Sequence, residues 1–310
     1  MTWGQQKRGG RFKKLVLLGF VGLFGVLALV FGGVYFASSS AMAETFSVEV
    51  STVTLRDDAD TLERGKYLVD HVMGCNHSDC HRSDFGGGAL LDAFPMGLIY
   101  APNLTTGSGS KVKDYTTEDW LRVLRHGLKR DGTRALIMPS EDYCSFPDSD
   151  IAAVISYIKS QPPVDRESPE CAPGPLARAL IAAGEIKFAY DKIDHKAERK
   201  KAEPGPTKEW GEVMAGACIG CHGEGFSGGK IPGTDPDWPA ARNISPDEST
   251  GIGKWTFEDF QRALREGKRP DGSPISEVMP WKAYAGMTDD DIKALWEYLR
   301  TVPAKAEGGR

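Results

Sequence analysis

The chain has 310 residues, 40% of them hydrophobic and 26% charged, which excludes a mostly disordered polypeptide and a multi-span membrane protein. Its formal charge of −5 hides an asymmetry: residues 1–43 hold five cations and no acid, and the remainder holds 33 Lys+Arg against 43 Asp+Glu. A body at −10 lacks the basic patches that neutralise phosphates, which argues against a nucleic-acid binder.

Leu15 to Ala37 is a run of 23 residues without a charged side chain, preceded by Lys7, Arg8, Arg11, Lys13 and Lys14. About 20 apolar residues span a bilayer as a helix. Cations flanking the start of such a helix stay cytoplasmic, which puts everything after Ala37 on the exported side. The expectation is a single-pass inner-membrane protein with a periplasmic body. A cleaved signal peptide is the competing reading: Ala41-Met42-Ala43 fits its cleavage pattern, but its apolar region is normally shorter.

The rest of the chain repeats itself. YTTEDWLRVLRHGLKRDG from Tyr115 aligns with WTFEDFQRALREGKRPDG from Trp255 at an offset of 140, and DSDIAAVISYIKSQP from Asp148 aligns with DDDIKALWEYLRTVP from Asp289 at 141. A repeat this long is a domain, not a solenoid unit. The chain divides into a basic tip and apolar segment (1–43), a first repeat domain (44–165), a linker (166–205) and a second repeat domain (206–310). Within the linker the apolar stretch from Leu176 to Tyr190 predicts one helix.

Each repeat reads as helical. Thr116 with Asp119, Thr256 with Asp259 and Thr288 with Asp291 have the capping-box spacing. After the last of these, Ile292, Leu295, Trp296 and Leu299 share one helical face. No long alternating pattern competes, so an all-α fold is expected. The loops between helices are long and rich in Gly and Pro, so each repeat calls for a prosthetic group to complete its core.

Cys218-Ile219-Gly220-Cys221-His222 is the attachment signal of a c-type haem: two thiols add across the haem vinyl groups, and the histidine becomes an axial ligand. Zinc would need further ligands nearby, and the second repeat holds no other Cys or His. A redox dithiol would need a βαβ context. In the first repeat four residues separate Cys75 from Cys80, but Cys80-His81 aligns with Cys221-His222 at the offset of 141. Two extra residues in that loop can bulge outward, which predicts a second covalent haem.

Met138 and Met279 each lie 57 residues after their histidine, precede proline, and are followed by tyrosine five residues on. Thioether is a natural sixth ligand here, so His81 and Met138 are expected on the first iron and His222 and Met279 on the second. Met96 competes with Met138. His71, His126 and His195 have no partner in the other repeat and read as surface or core residues. Cys144 and Cys171 belong to no haem motif. In an oxidising compartment a disulfide between them is expected, against the alternative of two buried free thiols.

Both repeats resemble class I cytochrome c domains over about residues 60 to 304. More narrowly, Gly97-Leu98-Ile99-Tyr100-Ala101-Pro102-Asn103-Leu104-Thr105, and the stretches Thr250–Trp255 and Arg269–Gly272, resemble the membrane-bound cytochrome c subunits of bacterial alcohol and gluconate dehydrogenases. Those subunits usually carry three haems, and this chain has motifs for two. The resemblance implies two tandem class I domains joined by a helical linker behind a transmembrane helix. It also implies that Asn103, Asn243, Tyr115 and Trp255 border the haems or their propionates. Two haems saturated by His and Met imply electron transfer to or from a membrane dehydrogenase, quinol-oxidising complex or oxidase, not catalysis. The alternative is a di-haem peroxidase, which needs one iron able to open.

Overall fold

The computed structural model describes residues 5–78, 80–197, 202–231, 234 and 237–310. The side chains of Lys7, Arg8 and Arg11 lie outside the described residues. Helix α1 (Gln5–Ala43) is long and apolar enough from Phe12 onward to cross a membrane, and its side chains are exposed until its last turns.

In the first half, α2 (Ala59–Leu68) is capped by the Asp58 carboxylate, which accepts from the Thr61 amide at 3.0 Å. It runs into a π-helical turn at Val69–Met73, which Gly74 ends with φ 64°. The chain then forms strands β1 (Gly88–Ala93) and β2 (Gly97–Ala101) and helices α3 (Thr117–His126), α4 (Ser140–Tyr143) and α5 (Asp148–Lys159). Strand β3 (Ala172–Pro173) and α6 (Pro175–Ala182) follow. The second half contributes α7 (Lys208–Met214), α8 (Gly216–His222), α9 (Phe257–Glu266), α10 (Trp281–Tyr284) and α11 (Asp289–Leu299).

The repeat is visible in the packing. Helix α2 crosses α5, and α7 crosses α11, each at a glycine. A Cβ on Gly65 would collide with the Ala153 carbonyl, and one on Gly211 with the Ala294 carbonyl, so only glycine lets these backbones approach. The α3 and α9 capping boxes are both closed: the Asp119 and Asp259 amides donate to the threonine hydroxyls at 3.2 Å, and the carboxylates accept back from Thr116 and Thr256. The predicted face of α11 is buried.

The all-α expectation fails. A three-stranded antiparallel sheet in the order β1-β2-β3 is inserted in the first half. Its strands are too short for an alternating pattern to register, and the shift of register between Ala89 and Leu91 breaks what alternation there is. The linker also differs from expectation. Its helix is only α6, eight residues long, and β3 ties it back onto β2.

One core runs through both halves. Phe146 and Trp210 are fully buried edge to face with ring centroids 6.1 Å apart. The Tyr67 hydroxyl crosses the same seam to donate to Asp291, which also accepts from Trp210 Nε1 of its own half at 2.5 Å, while Arg64 pairs with both oxygens of Asp150 within the first half at 2.8 Å. Asp150 and Asp291 are repeat equivalents, each buried at the start of the last helix of its half. Buried carboxylates need such full pairing.

Candidate functional site

Helix α8 places Cys218, Cys221 and His222 at i, i+3 and i+4, on one face. Gly223, with φ 78°, ends the helix, and the Gly228 amide donates to the His222 carbonyl at 2.9 Å. His222 is buried, and its Nδ1 donates to the Arg242 carbonyl at 2.7 Å. Burial lowers its pKa and favours the neutral ring, and with Nδ1 on that carbonyl Nε2 is the nitrogen that could ligate a metal.

The first site reaches the same arrangement by a different local path. The His77 amide donates to Gly74 O, Cys80 to His77 O and His81 to Cys75 O, each at 3.0 Å. These stacked turns absorb the two extra residues and return His81 to Cys75, where a regular helix would close over four residues. Asp79, within this bulge, lies outside the described residues. His81 is buried like His222, its Nδ1 donates to the Pro102 carbonyl at 2.9 Å, and burial lowers its pKa too.

Burial pushes the Cys75 and Cys218 thiols up to about 12. Cys221 is raised as well, again chiefly by burial. Redox dithiols instead carry a depressed pKa, unlike Cys75, Cys218 and Cys221. The residues fit a covalently attached haem: paired thiols, a neutral histidine with Nδ1 held by a carbonyl, and an apolar surround. Among the described residues no three or more of Cys, His, Asp and Glu gather as a metal cluster.

Met138 and Met279 are half-buried and pack against the core, each just before a short helix, α4 or α10. Tyr143 and Tyr284, five residues on, are brought beside the cysteines of their own half; both hydroxyls are pushed up mainly by burial, with further contributions from Cys75 and Cys80 or from Cys218 and Cys221. Met279 also lines a cleft with His77, Trp281 and Ala283, where the first-site bulge meets the second half.

Asn103 and Asn243 brace loops. Asn103 Nδ2 donates to Val164 O at 2.7 Å and its Oδ1 accepts from the Thr105 amide at 2.9 Å. Asn243 Nδ2 donates to Lys305 O at 2.7 Å and its Oδ1 accepts from the Ser245 amide at 2.9 Å. Tyr115 lies under the Arg130 guanidinium, 4.9 Å from its ring centroid. Trp255 is half-buried against the core. The Cys144–Cys171 disulfide is not formed. Both are free thiols: Cys144 donates to Glu141 O at 3.3 Å at the end of α4, and Cys171 sits against the Tyr100 backbone beside β2.

Two residues lie at the seam: Asp142, which sequence reasoning missed, and His71, which it read as a surface or core residue without a role. Asp142 on α4 is buried beside α8, where a Cβ on Gly220 would lie 3.1 Å from its Oδ2. One oxygen of Asp142 has no hydrogen-bond partner, and burial, with Glu141 adding to it, pushes the carboxyl up to about 7. His71 reaches from the π-helical turn to α10. The available signal was their departure from the repeat, since Asp142 aligns with Ala283 and His71 has no counterpart.

A cytochrome c family model matches residues 211–303. It does not extend to the first half, which corrects the expectation of two tandem class I domains. The fructose dehydrogenase cytochrome subunit of Gluconobacter japonicus is 28% identical over 267 residues, 81% of this chain and 54% of that protein. The gluconate 2-dehydrogenase cytochrome c subunit of Pantoea cypripedii is 28% identical over 308 residues, 90% of this chain and 65% of that protein. The quinone alcohol dehydrogenase cytochrome c subunit of Gluconobacter oxydans is 25% identical over 278 residues, 81% and 57% respectively. The chain thus spans between half and two thirds of the length of these relatives. Residues 211–303 match the cytochrome c family model, and over most of its length the chain is similar to the cytochrome c subunits of fructose, gluconate and alcohol dehydrogenases.

Proposed function

We propose that this chain is a membrane-anchored electron-transfer subunit with two covalently held haem c groups. One is held by Cys75, Cys80 and His81 with Met138, the other by Cys218, Cys221 and His222 with Met279. In this reading α1 is the anchor, and residues 44–165 and 206–310, joined by 166–205, carry one site each on the exported side. Electrons come from a dehydrogenase or quinol-oxidising complex and leave to a downstream acceptor. The carrying observation is the matched setting of the two histidines, each buried with Nδ1 on a carbonyl at 2.9 or 2.7 Å.

Each bound haem supplies a one-electron couple. The chain's own part is to hold the group and to set its potential. The carbonyls of Pro102 and Arg242 fix the tautomer and orientation of each imidazole. Each cysteine pair, buried Cys75 with Cys80 and half-buried Cys218 with exposed Cys221, offers two thioether attachments. Met138 and Met279, if their thioethers hold the iron, would raise its potential and would keep peroxide from binding there. The acidic body favours a basic face on the partner.

Intact mass after acid denaturation tests the haem count. Two added haem masses are expected, and one would remove the Cys75–Cys80 site. A high-spin ferric haem with peroxide turnover would move the assignment to a peroxidase.

A further inference from the structure

The eight-residue helix α6 has one charged residue, Arg178, and that side chain turns inward. It donates to the Ser38 and Ser39 hydroxyls at 3.1 and 2.9 Å and lies 4.3 Å from the Tyr35 ring centroid, all on α1. The outward face of α6 is left with Pro175, Leu176 and Ala182, all exposed and all apolar. The β1–β2 tip is joined to the start of this helix: Gly174 N donates to Met96 O at 2.6 Å and Leu176 N to Pro95 O at 3.2 Å. At that tip Phe94 is 88% exposed, the highest value among the described large apolar side chains, and Leu176 is 43% exposed. A helix facing water would carry a polar outer face.

The position of this patch along α1 identifies what covers it. The apolar run Leu15–Ala37 is about 33 Å long at 1.5 Å per residue, close to the roughly 30 Å of a bilayer core. Within α1, Val34, Ser38, Ser39, Ala41 and Met42 are the residues that lose exposure in the region packed by α6. The short helix therefore brackets the level at which the apolar run ends. Tyr35 and Arg178 at that level are the residue types that anchor in the lipid headgroup layer.

We infer that α6 and the Phe94 tip are a second membrane-contact surface that lies in the outer lipid interface beside the anchor. The inference rests on the reading of α1 as a retained membrane span. It gives the haem-bearing body a fixed orientation, because two separated elements meet the lipid instead of one flexible stalk.

The full chain, reconstituted in phosphatidylcholine–phosphatidylglycerol vesicles with a phospholipid carrying a photoactivatable group near its glycerol, tests this by peptide mapping of lipid adducts. Adducts are expected on α1 and on the peptides containing Phe94 and Leu176. The double substitution Phe94→Ser and Leu176→Ser should remove the latter and leave α1 labelled; both residues are exposed, so the fold is not strained. Adducts on α1 alone overturn the inference and leave the anchor standing, with a protein partner or a second copy as the cover of the patch. No adduct on α1 overturns the anchor and the inference together.

Discussion

Nδ1 of His71 donates a hydrogen bond of 2.9 Å to the carbonyl of Ala283, so the turn before the first cysteine holds the helix after Met279. In the first half the corresponding helix is tied internally, by the Tyr143 hydroxyl donating to Met73 O at 2.8 Å. Among the described residues Tyr284 makes no such bond, and His71 takes over from the other half. Gly286 faces the His71 ring so closely that a Cβ there would collide with it.

His71→Ala leaves the Ala283 carbonyl without its partner and is expected to cost about 1–2 kcal/mol. Because one core runs through both halves, chemical denaturation should remain a single transition with a lower midpoint. Two separate transitions in the parent chain would contradict the shared core.

Gly211→Ala forces a methyl group into the Ala294 carbonyl at the α7–α11 crossing. Overpacking of this kind costs about 1–3 kcal/mol. Gly65→Ala, at the equivalent crossing, should behave alike. A denaturant midpoint unchanged by either variant would mean the helices separate more easily than their contact implies.

Asp142 carries a pH dependence. Its carboxyl is raised to about 7 in the fold from an ordinary 3.8, so the folded state holds the proton more tightly than the unfolded one. The penalty is absent below pH 3.8, grows as pH rises, and is complete above about 7. Asp142→Asn should therefore stabilise the chain at pH 8, by up to about 4 kcal/mol, and leave it unchanged near pH 3.5. Thermal unfolding of both forms across this range checks the sign. Equal pH profiles would mean that the carboxyl ionises without cost.

On the ligation proposed above, Met279→His should keep the haem attached, since attachment would rest on Cys218, Cys221 and His222. It should lower the midpoint of that haem, because imidazole replaces the thioether that favours ferrous iron. Met138→His should act on the other haem. Spectroelectrochemical titration of each variant reads both midpoints. An unchanged pair of midpoints in Met138→His would leave Met96 as the sulfur to test next.

Much of this protein is legible in one dimension, because local chemistry and chain spacing decide it. Cys218 to His222 fall on one helical face by period alone. The Thr116 and Thr256 boxes close within four residues of chain, and the apolar run from Leu15 is visible from length and polarity. The repeat lent the Cys75–His81 stretch its reading despite two extra residues, and the stacked turns show how they are absorbed. Other features depend on what folding brings together. The sheet was hidden because its strands are short and its register is broken between Ala89 and Leu91. Cys144 and Cys171 are free thiols, and only the fold sets one at the end of α4 and the other against the Tyr100 backbone of β2. Asp142, His71 and the Asp291–Tyr67 bond lie where two distant stretches pack face to face. Burial there gives an ordinary side chain its altered pKa or its only partner, and no local pattern in a chain encodes which stretch it will meet.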